Sequence, residues 1–218
     1  MRPIYVGVAI ALAALILVFL GYNFWQKQQI AQANATPSPG PNASSKPVAL
    51  ADGEALGEKY FKSKYPVTPQ GGHGQTVDGI ACGTQEYATL HVHTHLAIFY
   101  NGKQIQIPQY IGFAPNPAGG CLYWLHTHDG SGIIHVESPQ LSPPQGGPFT
   151  LGMFFDIWGQ PLAPSNVAGM AGPVVAYVNG SKYEGDLRAI ELHSRQQVVL
   201  EIGTPTVPPP NYVFPAGD

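Results

Sequence analysis

The sequence predicts a mainly β domain, antiparallel hairpins forming a sandwich or barrel-like body with one or two short helices, behind an N-terminal transmembrane helix. Three observations carry this expectation. Gly and Pro supply 26 and 22 of 218 residues and punctuate short apolar runs, which suits turns better than long helices. Several of those runs alternate apolar and polar residues around Asn-Gly or Asp-Gly steps, the mark of a β-hairpin. Ahead of them, residues 4–24 carry no charge over the length of a bilayer's hydrocarbon core.

A helix over residues 4–24 spans about 30 Å at about 1.5 Å per residue. Tyr5, Tyr22, Phe24 and Trp25 stand near its ends, where aromatic rings favour the membrane interface; Arg2 precedes it and Lys27 follows. The expected organisation is a transmembrane anchor over 1–26, a flexible Pro/Ser-rich linker over 27–49, and an extracytoplasmic β domain over 50–218. This places the chain at the cell membrane as a single-pass protein with its N-terminus cytoplasmic. A cleaved leader ending at Ala31-Gln32-Ala33 is the rival reading, and it leaves the domain in the same compartment. Asn34, Asn42 and Asn179 stand in Asn-x-Ser/Thr sequons. The net charge of −3 offers no basic field, so nucleic acid is not an expected partner; the membrane is.

Within the domain, Asp52 as N-cap, Leu56 and Tyr60 on one face, and Pro66 as stop predict a short first helix. The alternating run 90–100, the turn Asn101-Gly102 and the return 103–107 predict a hairpin. Residues 121–128 and 133–137 predict a second, around Asp129-Gly130-Ser131-Gly132. Leu151, Phe154, Phe155 and Trp158 recur at i, i+3, i+4, i+7 between Thr150 as cap and Gly159 as stop, which predicts a helix with a core-facing stripe. Residues 174–178 with Asn179-Gly180 begin a third hairpin, and 196–202 form the last strand. The similarity of 97–103 to 175–182 suggests two copies of a three-strand unit.

The chemistry lies in the histidines, eight in all. Side chains alternate faces along a strand, so His91, His93 and His95 share one face of their run and the apolar residues the other. In the second hairpin, Gly130-Ser131 at the centre sets His126 opposite His135, His128 opposite Ile133 and Trp124 opposite Glu137, all on one face. Neutral imidazole is the commonest side-chain ligand for divalent transition metals near pH 7. The expected ligands are therefore His126, His128, His135 and Glu137, joined by His91, His93 or His95, around a divalent transition metal, Cu or Zn. Glu137 or Asp129 serves as a fourth ligand or holds a ring tautomer. A stoichiometry of about one ion per chain follows, as does loss of metal when acid protonates the rings. His73, in a Gly-rich loop, is read as a bystander, and His193, without a His-x-His partner, as structural. Cys82 and Cys121, an isolated pair in an exported chain, are expected to form a disulfide; a thiolate ligand at Cys121, five residues before His126, is the alternative.

Motifs for c-type haem, zincin proteases, P-loops, Gly-x-Ser-x-Gly hydrolases and dinucleotide binding are absent. With three Met, the chain does not read as a Met-rich Cu(I) carrier. The stretches CLYWLHTHDGSGIIHVESP (121–139) and FTLGMFFDIWGQPL (149–162), with HVHTHLAIFYNGK upstream and LEIGTP near the end, resemble a family of exported or membrane-anchored bacterial proteins. The resemblance covers about residues 78–214. That family has no assigned activity, so the resemblance implies compartment and domain limits and no chemistry. Three functions stay open: a metal-binding protein of the cell envelope, a metal-dependent hydrolase or oxidase/oxygenase using the same histidines, and a structural or adhesion domain. No catalytic residue is assigned.

Overall fold

The computed structural model describes residues 3–33, 37–62, 67–114 and 120–218, leaving aside the side chains of 3–13, 32 and 33. Helix α1 (Pro3–Ala33) leads, then β1 (Pro47–Ala49), β2 (Cys82–Gly83), β3 (Leu90–Tyr100), β4 (Lys103–Ile105), β5 (Phe113–Ala114), β6 (Cys121–Tyr123), β7 (Leu125–His126) and β8 (Ile133–Ser138). Helix α2 (Leu151–Trp158) separates these from β9 (Leu162–Ala163), β10 (Asn166–Val167), β11 (Met170–Ala171), β12 (Val174–Val178), β13 (Ser181–Tyr183), β14 (Gln197–Ile202) and β15 (Asn211–Val213). The chain is mainly β with antiparallel sheets and two α-helices, as expected.

The body is built on a seven-stranded sheet in the order β13-β12-β14-β3-β8-β7, with β4 also beside β3. The period-two pattern of β3 sorts its side chains as the sequence implies. Val92, Leu96 and Ile98 enter the main core, where they join Ile134 and Val136 of β8 and the stripe of α2, Phe154, Phe155 and Trp158. The α2 stripe is closed off by its caps: Thr150 accepts the Met153 N–H, and Gly159 ends the helix in the left-handed region at φ 74°. The opposite face of β3 is not left to solvent. Ala97 and Phe99 pack with Leu50, Ile133, Val199 and Tyr212 into a second, smaller core, beside the two-stranded sheet of β1 and β15. A sheet covered on both faces gives its histidine-bearing strand a buried environment on each side.

Several expectations are corrected. Strand β14 pairs with β3 in parallel, as β1 does with β15; alternation encodes which face a residue takes and not the direction of its neighbour. Among the described residues, 52–62 form no helix, because Gly53 and Gly57 take φ of 73° and 96°, incompatible with a right-handed turn; residues 63–66 of that expected helix lie outside the described residues. Residues 121–128 do not form one strand: β6 pairs with β2 and β5 in a separate three-stranded sheet, and only β7 pairs with β8. The hairpins β3–β4 and β12–β13 both form. Their third strands differ, since β8 shares with β4 one edge of β3, whereas β14 takes the edge of β12 opposite β13. They are therefore not copies of one unit. The expected linker over 27–49 is partly ordered: α1 runs to Ala33, and Pro47–Ala49 forms β1.

Among the described residues no helix is long and apolar enough to cross a membrane. Residues 14–31 run into Asn23, Gln26, Lys27, Gln28 and Gln29, which lowers their mean hydropathy, and residues 4–13 of the expected span lie outside the described side chains. Cys82 and Cys121 are joined in a disulfide that ties β2 to β6, so neither offers a thiolate to a metal.

Candidate metal centre

Strand β8 holds the centre together. On one edge it pairs antiparallel with β3, setting His93 opposite His135 and His91 opposite Glu137. On its other edge it pairs with β7, setting His126 opposite His135, the register expected from the turn Gly130-Ser131. Residues directly opposed across antiparallel strands hold their Cβ atoms about 4.5–5.5 Å apart. Three adjacent strands thus present His91, His93, His135, Glu137 and His126 on one face, and His128 lies two residues beyond β7. The tight turn is possible because Gly132, at φ 94°, lies against the Leu96 carbonyl, where any Cβ would collide.

The donor atoms fall into two overlapping sets. His91, His93, His135 and Glu137 form one, and His126, His128, His135 and Glu137 the other, with the donors of each set within 4.8 Å of one another. The Nε2 atoms of His91 and His93 are 3.0 Å apart, and those of His126 and His128 are 3.1 Å apart. Glu137 Oε1 lies 3.2 Å from His91 Nε2 and 3.2 Å from His135 Nδ1, while Oε2 lies 3.8 Å from His126 Nε2. Side chains around an ion bound at about 2.0–2.1 Å in tetrahedral array have donor–donor separations of about 3.3 Å. The structure therefore contains His/Glu groups with the spacing to hold a metal ion.

No protein-family model, no curated protein and no solved structure matches this chain. The chemistry of the site must be read from its own residues.

Outer partners aim the rings. His126 Nδ1 donates to the Tyr123 carbonyl at 2.9 Å, which leaves its Nε2 lone pair facing His128 and Glu137. His93 Nδ1 lies 3.2 Å from Asp218 Oδ1, a carboxylate oxygen that accepts, so its Nε2 lone pair faces His91. Burial pushes the His93, His126 and His135 imidazoles down to about 3, since a charged ring loses its hydration there. Around His93 the neighbouring rings of His135 and His91 add to this. The rings are accordingly neutral at pH 7, and their contacts with Asp218 and Glu137 are hydrogen bonds or close approaches of neutral imidazole, not ion pairs. Neutral rings are the form a metal requires. Glu137 is 4% exposed, and its Oε2 is buried without a hydrogen-bond partner among the described residues. The His91 and His128 side chains, 48% and 39% exposed, open the centre to solvent on two sides.

His95 does not join the cluster, although it shares the face of His91 and His93. Its neighbour on β8 is Ile133, its Nε2 donates to the Ser131 carbonyl at 3.0 Å, and its ring centroid lies 3.8 Å from that of Tyr212. It is a buried structural residue that braces the 129–132 turn. Asp129 is likewise spent on the fold: Oδ1 accepts from Ser131 N and Oδ2 from Gly53 N, both at 2.9 Å. His73 bonds to the Thr68 carbonyl and His193 to Glu191, outside both sets. Two further carboxylates reach the site. Glu86 Oε1 stands 3.4 Å from His128 Nε2, on a loop that starts at the disulfide, and Asp218 is held by Arg195, whose Nε donates to the Asp218 carbonyl. The sequence carries no signal for Asp218; for Glu86 the only hint is its place four residues after Cys82.

Proposed function

We propose that the chain is a membrane-anchored, extracytoplasmic protein that binds a divalent transition metal, Cu or Zn, through this histidine cluster. The observation that carries the reading is Glu137. Burying a carboxylate oxygen without a partner costs about 1–3 kcal/mol or more, and an ion among the surrounding imidazoles would offset that cost. His91, His93, His126, His128, His135 and Glu137 would hold the metal, and the three buried rings have no competing proton at neutral pH.

The anchor rests on residues 4–24 and on α1, in which Leu15 to Leu20 are 57–70% exposed with no protein core around them. Such an exposed apolar stretch suits a lipid environment. The resemblance to exported or membrane-anchored bacterial proteins points to the same compartment. The half-exposed His91 and His128 rings favour a second reading, a metal-dependent hydrolase or oxidase/oxygenase, because a bound ion would remain accessible from outside.

Elemental analysis and calorimetry on the full chain, without a polyhistidine tag and in mild detergent, test the metal. At least one equivalent of Zn(II) or Cu(II) is expected, weakened at least tenfold by His126→Ala/His128→Ala. A folded chain that binds neither ion at pH 7 would instead be a structural or adhesion domain. For the anchor, the chain should stay with membranes through alkaline extraction. A soluble product beginning at Asn34 would replace the anchor with a cleaved leader.

A further inference from the structure

Resting on that reading, we infer that the centre takes two metal ions bridged by the Glu137 carboxylate, not one. The two His-x-His pairs come from different strands and lie on opposite edges of β8. Within each pair the two Nε2 atoms lie within hydrogen-bond reach of one another, 3.0 Å in one and 3.1 Å in the other, near the spacing of about 3.3 Å for donors on one ion. Each also approaches a different oxygen of one carboxylate, His91 at Oε1 and His126 at Oε2. Among the described residues the donors form two sets that share His135 and Glu137, and no single set contains both pairs. In the side-chain conformations the structure shows, the four rings do not converge on one point.

The remaining donors divide in the same way. His135 Nδ1 lies beside Oε1, the oxygen that faces His91, which assigns it to the first ion. Glu86 Oε1 lies 3.4 Å from His128 Nε2 and 4.0 Å from His126 Nε2, which assigns it to the second. The first ion then has His91, His93, His135 and Oε1; the second has His126, His128, Oε2 and Glu86. The arrangement explains why a buried carboxylate with an unpartnered oxygen stands between two imidazole clusters. Carboxylate-bridged ions about 3.5–4 Å apart form the symmetric clamp used on both oxygens of a displacement at phosphorus or carbon.

The test is calorimetric titration of the full chain with Zn(II), repeated on His91→Ala and His128→Ala. Each of these rings belongs to one set and is part-exposed, so its removal spares the core. Two equivalents are expected for the unaltered chain, with one step weakened at least tenfold in each variant and the other retained. Titration with Cu(II) reads the bridge. The isolated-ion electron paramagnetic resonance signal should grow to about one equivalent and shrink as the second ion couples to the first. A single equivalent weakened by both variants would overturn the two-ion inference and leave the metal-binding reading standing. Two equivalents with full, uncoupled signal intensity would overturn the bridge. Binding of neither ion would overturn the metal-binding reading itself, and the two-ion inference with it.

Discussion

His93 and His95 are two residues apart on one strand and share a face, yet one belongs to a donor set and the other bonds a turn carbonyl. The difference is the residue across the ladder: His135 for His93, Ile133 for His95. Glu137 owes its position to the same ladder, opposite His91 and buried. Its unpartnered oxygen makes it costly, and the proposed ion would offset that cost. Glu137→Gln removes the charge at nearly constant shape. The metal-free variant should therefore be as stable as the unaltered chain or more so, by up to about 1–3 kcal/mol in urea unfolding. Its affinity for Zn(II) should fall at least tenfold. A variant that loses stability without metal and keeps its affinity would show that Glu137 serves the fold alone.

At the scale of elements, β8 is the hub of the centre because it carries His135 and Glu137 and is flanked on both edges by histidine-bearing strands. The pairing with β7 was legible, since a tight turn joins β7 and β8 and fixes their register. The pairing with β3 was not, because more than thirty residues separate the two strands and local pattern carries no record of a distant partner. The helix α2 was legible for the opposite reason: its cap, stripe and stop are all local. The disulfide supports the centre from the side by holding the start of the loop that carries Glu86 near β6. Its loop of 39 residues should contribute about 4 kcal/mol on the chain-entropy model. Cys82→Ser/Cys121→Ser should therefore lower the urea midpoint by a corresponding amount. Zn(II) binding at His126 and His128 should weaken more than binding at His91 and His93, because Glu86 reaches only the former pair.

For the whole molecule, the decisive feature is that the sheet is covered on both faces, so His93, His95, His126 and His135 lie largely out of water and stay neutral. Burial takes His95 down to about 4 and His93, His126 and His135 to about 3. In the unfolded chain the same rings titrate near 6.5. Between those values the unfolded state binds more protons, so this contribution to stability is complete above about pH 6.5 and is lost as pH falls towards 3. Each such ring costs about 1.4 kcal/mol per pH unit in that window. Several acting in the same direction favour the unfolded state as pH falls through that window. The metal-free protein should therefore unfold on acidification well before pH 3, with the tryptophan signal of Trp124 and Trp158 reporting the transition. Zn(II) should move that transition to lower pH, because metal and proton compete for the same lone pairs. Unchanged stability between pH 7 and 4 without metal would contradict the burial of these rings.

By itself the sequence determined the β class, the hairpin turns, α2, the pairing of the two cysteines and the histidine face of each strand. All of these follow from period, turn chemistry or composition within a short span of chain. Only the tertiary structure decided which histidines meet. It set β3 against β8, turned His95 and Asp129 to structural work, brought Glu86 and Asp218 to the cluster, and covered the second face with β1 and β15. Those outcomes depend on contacts between residues far apart in the chain, which become neighbours only once the sheet has closed.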